Sequence, residues 1–251
     1  MRFRLPLLAA LAAFAALPVV PGSASAGGAP GIDVSRFNGA IDWTQVRGSG
    51  IKFAFIAASR GNGTDCATAP TSCGADPLFA GNRAAAVAAG VRIGAYHRAF
   101  ASGATRAEAQ ADARAEADIF VAQVGALNPG ELLPALDVET PFVGLTEKRL
   151  RTWIYAWLKR VRKRLGRRPI IYTNRTSWAA TGNTTQFARA GHRLWVAEWG
   201  VRKPTVLPAS RWADKGWAVW QYTSSGAVPG VAGRVDLNRA SVGLRKITAR
   251  R

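Results

Sequence analysis

Residues 133–139 read Leu-Pro-Ala-Leu-Asp-Val-Glu, a short apolar run closed by two carboxylates. Side chains alternate faces along an extended strand, so Asp137 and Glu139, two apart, share one face. The segment therefore carries two acids to the same side of one strand, where its apolar part stops. Carboxylates that close repel each other, and one of such a pair tends to keep its proton toward neutral pH. A protonated acid beside an ionised one is the pairing that glycoside cleavage uses.

Seven other short apolar segments read as strands: residues 31–35, 52–59, 91–97, 168–174, 194–198, 217–222 and 233–237. Most are runs of Val, Ile, Ala and aromatics without clean alternation, the pattern of strands buried on both faces in parallel sheets. Helices are expected between several of them. Asp76 reads as an N-cap with Pro77 at the first helical position and Gly90 at the end. Thr105 and Glu108 form a capping box for an Ala-rich helix that ends near Gly125. Thr146 caps a third helix, in which Leu150, Trp153, Ile154, Trp157, Leu158, Val161 and Leu165 keep the helical period until Gly166. Later connections are shorter and rich in Gly, Pro and Ser, which predicts fewer and weaker helices.

This order predicts an α/β fold: a single irregular TIM-like (β/α) barrel of eight strands, with fewer helices than a full (β/α)8 barrel. Barrels of this kind carry their reactive groups at the C-terminal ends of strands. Asp33, Asp137, Glu139 and Asp236 all fall at or near such ends and are expected to meet at one mouth. Asp42, Asp65 and Asp214 read as caps, turns or surface charges.

The N-terminus reads differently. Arg2 and Arg4 precede an apolar run from Leu5 to Val20, and Ala24-Ser25-Ala26 supplies a small-residue cleavage pattern. Residues 1–26 are therefore expected to be a secretory signal peptide, with 27–251 a single domain released outside the cell and not inserted in a membrane. The formal charge is +19, a field that attracts polyanions. An anionic cell wall is the expected partner of an exported protein, ahead of nucleic acid, since no helix-turn-helix or zinc pattern is present. The densest basic cluster is Arg160, Arg162, Lys163, Arg164, Arg167 and Arg168, whose plainest reading is a solvated helix face. Cys66 and Cys73 are expected to close a small disulfide loop. Two thiols with no nearby His make no zinc site, and no metal or cofactor is expected.

Several motifs resemble the family 25 glycoside hydrolases, the Chalaropsis-type lysozymes. Gly31-Ile-Asp-Val-Ser35 with Ile41-Asp-Trp43 is similar to the family's opening, and Gly94-Ala-Tyr-His97 to its third strand. Leu136-Asp-Val-Glu139 resembles its catalytic strand. Trp220-Gln-Tyr-Thr223 and Val235-Asp-Leu-Asn238 resemble its closing segments. The motifs stand in the family's order over nearly all of 27–251. The resemblance implies N-acetylmuramidase activity on peptidoglycan, with Glu139 as the catalytic acid, Asp137 its partner, and Asp33 and Asp236 supporting acids. The chain departs from the pattern after Ser35, with Arg36-Phe37-Asn38-Gly39, and after His97, with Arg98-Ala99-Phe100.

The residues themselves allow the same chemistry. Glu139 would protonate the leaving glycosidic oxygen and then deprotonate water. Asp137 would either hold the substrate's 2-acetamido group while its carbonyl attacks the anomeric carbon, or activate a water for inversion. An acidic mouth would also stabilise positive charge on the sugar in the transition state. Tyr96, Tyr172, Trp195, Trp220 and Tyr222, together with Trp199, lie near strand ends and are candidates to stack on sugars or to pack in the core. Two rival readings are a chitinase-like hydrolase, which lacks here its longer run of alternating acids, and a noncatalytic wall-binding lectin, which needs no proton donor. The active protein is expected to be a monomer.

Overall fold

Every expected strand segment forms a strand, and the eight pair edge to edge until the sheet closes on itself. The computed structural model describes residues 28–63 and 73–249. The expected signal peptide lies outside them, as does Cys66, the expected partner of Cys73. The strands are β1 (Ala29–Val34), β2 (Phe53–Arg60), the two-residue β3 (Gly74–Ala75), β4 (Arg92–Arg98), β5 (Ala135–Asp137), β6 (Ile170–Thr173), β7 (Leu194–Ala197), β8 (Val219–Gly226) and β9 (Val235–Ala240). Their order is β1-β9-β8-β7-β6-β5-β4-β2, and β2 pairs back with β1. The short β3 only extends the end of β2, antiparallel to it.

One strand departs from the parallel pattern expected of all eight. β1, β2 and β4 to β8 are parallel to their neighbours, but β9 runs antiparallel to both β8 and β1. The reason is length. Only residues 227–234 separate β8 from β9, and a parallel return needs a crossover of about a dozen residues or more.

The main helices are α1 (Trp43–Gly48), α2 (Phe79–Ala88), α3 (Arg106–Val124), α4 (Glu147–Leu165), and the short α5 (Arg175–Ala179) and α6 (Gln186–Arg189). The capping box of α3 forms as expected: Thr105 Oγ1 accepts from Glu108 N at 3.2 Å and Glu108 Oε2 accepts from Thr105 N at 3.1 Å. Thr146 caps α4, and Gly166 ends it at φ 69°. Asp76 does not cap α2, which begins two residues later than expected with no side-chain cap. Its carboxylate instead accepts from Leu78 N and from Arg36 N, at 2.9 and 2.8 Å. After α4 the helices are shorter, and the turn at Pro208–Ala213 is left-handed, with φ of 49–61° across Ala209–Asp214.

Strand alternation builds two cores. Outward residues such as Ile56, Ile93, Leu136 and Ile171 pack beneath the apolar stripe of α4 and its neighbours, including Phe120, Trp153 and Trp157. Burying one side chain of this size contributes about 1.5–3 kcal/mol. Inward residues, among them Phe53, Phe55, Leu132, Ile170, Trp195 and Val219, fill the barrel. Phe55 and Trp195 stack there with centroids 4.4 Å apart. The plug requires a glycine at position 94, because a Cβ on Gly94 would lie 2.7 Å from the Phe55 ring and 2.8 Å from Leu132. With its interior filled, the barrel offers chemistry only at its mouth.

Candidate active site

Asp137 is the last residue of β5 and faces inward, as does Glu139 two residues beyond it. Asp33 faces inward near the end of β1. Asp236 stands directly opposite Asp33 in the β1–β9 register. It was expected at the C-terminal end of its strand. It sits instead at the N-terminal end of β9 and reaches the mouth because β9 runs backwards. All four acids line one cleft of about 220 Å³, together with Tyr96, Tyr172 and Trp195.

The β5 side is built around Arg98, the inward residue at the end of β4. Its guanidinium lies 3.5 Å from Asp137 Oδ2 and 3.6 Å from Glu139 Oε2. It also donates to the carbonyls of Glu139 and Thr140, both at 3.1 Å, and so holds the backbone that carries Glu139. Burial pushes the Asp137 carboxyl well above the ordinary carboxylate range; Arg98 pulls it back, while Glu139 and Asp33 push it up again. Burial also works against the Arg98 charge, but Asp137 and Glu139 outweigh it and hold the guanidinium above its ordinary value. Asp137 Oδ1 is buried without a hydrogen-bond partner among the described residues.

The β1–β9 side is built from amides. Asp33 Oδ2 accepts from Asn238 Nδ2 at 2.6 Å and from Gln221 Nε2 at 3.0 Å. Those amides are oriented from behind: Trp195 Nε1 donates to Asn238 Oδ1 at 2.8 Å, and the Tyr172 hydroxyl and Trp199 Nε1 donate to Gln221 Oε1 at 2.9 and 3.1 Å. With both amide oxygens engaged, both NH2 groups face Asp33. Burial and the negative charge of Asp236 nonetheless raise the Asp33 carboxyl well above its ordinary value, and the amides only moderate the rise. Burial raises Asp236 as well.

The mouth is not simply acidic, as its sequence suggested. Arg36, Arg60 and Arg98 line it beside the four acids and Asp76. The Phe100 ring lies between two of these cations, with Arg60 at 4.8 Å and Arg98 at 5.4 Å from its centroid. The segments after Ser35 and His97 that depart from the family pattern supply Arg36 and Arg98.

The aromatic candidates divide. Tyr96, Tyr172 and Trp195 line the cleft, Trp195 as its 1% exposed floor. Trp220 is buried away from it, its Nε1 donating to the Glu198 carbonyl at 2.7 Å. Tyr222 packs against Trp220 and under Arg239, outside the cleft lining. Phe37, on the cleft wall, and Trp199, which reaches Gln221, are exposed at the rim. His97 faces outward. It is fully buried, bonded to Ser59 Oγ and Glu116 Oε2 at 2.8 and 2.6 Å, and burial lowers its pKa to about 3, so it is a neutral structural link to α3.

Acids from β1, β5 and β9 at the open end of an eight-stranded barrel match a known group of enzymes. The family model for glycosyl hydrolases family 25 matches residues 32–231. The chain belongs to this family. It is thereby a glycoside hydrolase, and the motif resemblance found in the sequence holds over most of the chain. Among family 25 relatives, Lysozyme M1 of Streptomyces globisporus is 34% identical over 230 residues, which are 87% of this chain and 69% of that protein. The N,O-diacetylmuramidase of a Chalaropsis species is 28% identical, over 80% of this chain and 90% of its own. The solved structure of the bacterial lysozyme from Streptomyces coelicolor superposes with a TM-score of 0.74 at 33% identity, covering 88% of this chain and 95% of that one. The family 25 barrel of these proteins, eight strands closed with few helices, is the barrel seen here.

Sequence reasoning did not name Arg98, Gln221 or Asn238 as site residues. Asn238 carried a usable signal, since it lies two residues from Asp236 on a strand and so shares its face. Gln221 and Arg98 stood inside or beside the motifs, but nothing in their local pattern marked them.

Proposed function

We propose that this protein is a secreted muramidase that hydrolyses the β-1,4 bond between N-acetylmuramic acid and N-acetylglucosamine in peptidoglycan, with Glu139 as general acid and base. The carrying observation is the Asp137–Glu139 pair, bound to one arginine at the end of one strand. The relatives' names, lysozyme and N,O-diacetylmuramidase, support the substrate. Export after loss of residues 1–26, a Cys66–Cys73 disulfide and action as a monomer without cofactor complete the reading.

The two acids differ in access. Glu139 keeps 27% of its side chain exposed and Asp137 only 10%. A general acid must meet the leaving oxygen and then recharge from water, which suits the more open carboxyl. Glu139 donates its proton as the glycosidic bond breaks, and in the second step takes a proton from the attacking water. Asp137 is too deep to exchange freely with solvent, but its unpartnered Oδ1 is an acceptor in need of a donor. The acetamido N–H of the substrate supplies one. An acetamido group held there presents its carbonyl oxygen to the anomeric carbon, so this geometry favours substrate assistance and retention over activation of a water. Asp33 and Asp236 face the place where the sugar ring becomes positive, and a cation developing there favours their ionised forms.

Digestion of purified peptidoglycan, read by mass spectrometry of the muropeptides, is expected to give new reducing ends at muramic acid. NMR of the first-formed anomer is expected to show retention. Binding without release of reducing sugar would give the protein to the lectin reading, reducing ends at glucosamine would refute the bond assigned, and inversion would refute the role given to Asp137.

A further inference from the structure

Three of the six residues in the basic cluster, Arg162, Lys163 and Arg168, line a groove of about 1020 Å³, far larger than the catalytic cleft. Lys148, Arg151, Lys159, Arg162 and Lys163 all line it. These positions recur at the three- and four-residue spacing that puts side chains on one helix face, opposite the stripe that packs on the barrel. Arg106 joins them from the start of α3, and Arg168 from the approach to β6. Among the described residues, no carboxylate lines the groove. Of the lining cations Arg151 pairs with Glu147 at 3.5 Å, and beside the groove Arg160 pairs with Asp118 at 2.7 Å. The one histidine present, His192, is buried, and burial lowers its pKa to about 4, so it is neutral and adds no charge.

An ordinary solvated helix face mixes signs to relieve repulsion. Across its nineteen residues α4 holds a single carboxylate, Glu147. Cations left this close together are unfavourable until an anion joins them. From Lys148 to Lys163 the helix rises about 22 Å, too long for one phosphate and suited to an extended chain of them. The depression also continues past Arg114 by way of Tyr155, Lys159 and Lys163. Among the described residues, Tyr155 is the only exposed aromatic in the groove, whereas a site for single-stranded nucleic acid offers a series of stacking platforms. The groove starts at the N-terminal end of α4, on the side of the barrel where the catalytic mouth opens, and descends toward the start of β6.

We propose that this groove is a second binding site, taking a linear polyphosphodiester carried on the peptidoglycan of a bacterial wall, an anionic polymer of the teichoic acid class. The choice of wall polymer rests on the muramidase reading; the groove itself does not. The site holds the enzyme on the wall beside the glycan strand being cut, and the cleft does the cutting.

The test uses soluble poly(glycerol phosphate), with oligothymidylate of matched phosphate number as competitor, in low salt. One variant combines Lys159→Glu, Arg162→Glu and Lys163→Glu, and a second replaces the same three residues by Gln. A control reverses the same charge elsewhere, at the exposed Arg202, Lys203 and Arg245. Circular dichroism checks that each is folded, and the Gln variant serves if the Glu variant is not. The expected result is a loss of at least tenfold in affinity for poly(glycerol phosphate) in the groove variants and less than twofold in the control. Equal losses in both sets would overturn the proposal in favour of diffuse net charge. Failure of the wild type to bind, or tighter binding of the oligothymidylate, would overturn it as well. Hydrolysis of peptidoglycan stripped of phosphopolymers with hydrofluoric acid is expected to be unchanged in every variant. Its absence in the wild type would defeat the muramidase reading and leave the binding result to be judged alone.

Discussion

The two sides of the mouth hold buried carboxyls by different means. At β5, Asp137 faces a guanidinium, a charge partner that favours its ionised form. At β1 and β9, Asp33 faces two neutral amides and a second acid. Burial lifts both carboxyls toward the neutral form. The arginine side can therefore change charge as substrate enters, while the amide side is a hydrogen-bonded scaffold whose geometry is set from behind by Trp195, Tyr172 and Trp199. In the proposed mechanism, a cleft that divides in this way keeps reaction on one strand end and support on another.

Removing the proposed proton donor should break the contrast most severely. Glu139→Gln is expected to lower turnover by about 10²–10⁴-fold, with wall binding and thermal stability near wild type; reducing-end assays and calorimetry measure both. Arg98→Met comes next. It frees the backbone at Glu139 and Thr140 and is expected to cost about 10²-fold in turnover, the scale of a small misplacement at a reacting centre. It also removes the pull that lowers Asp137, so the acidic limb of the pH–rate profile is expected to move to higher pH. A limb that stays in place would show that Arg98 acts through geometry alone.

On the other side, effects should fall on stability before activity. Asn238→Ala removes the shorter donor to Asp33 and leaves a buried acceptor short of a partner, a loss of about 1–3 kcal/mol measurable by urea unfolding. Asp33→Asn gives the smallest signal, and it depends on pH. Because the folded Asp33 carboxyl is raised, its neutral form contributes stability that is complete below the unfolded value of about 3.9 and is lost as pH rises through the folded one. Wild-type stability minus that of Asp33→Asn is therefore expected to shrink as pH rises from about 4. A difference that grows with pH would mean that Asp33 is stabilised as an anion, which would erase the contrast with Asp137.

Much of this arrangement was legible in the chain. Asp137 and Glu139 share a face because strand alternation is local, and α3 and α4 announce themselves through Thr105, Glu108, Thr146 and Gly166 because caps are local too. Asp76 misled, since its carboxylate is taken by Arg36 forty residues away in the chain, a partner no local pattern reveals. Trp220 and Trp195 look alike in sequence, yet one faces the cleft and the other does not. The cluster on α4 was readable as a charged face, but not as a groove, because the walls at Arg106 and Gln186 come from α3 and α6.

The amino-acid sequence alone determined where the strands run, which acids end them, and which face of α4 is apolar, since each depends on neighbours within about four residues. Tertiary structure decided that β9 runs backwards and so brings Asp236 to the mouth. It also decided that Arg98 reaches both Asp137 and Glu139, and that Asp33, Asp137 and Asp236 are pushed toward their neutral forms. Those outcomes depend on burial and on charges contributed by distant strands, and neither exists until the barrel has closed.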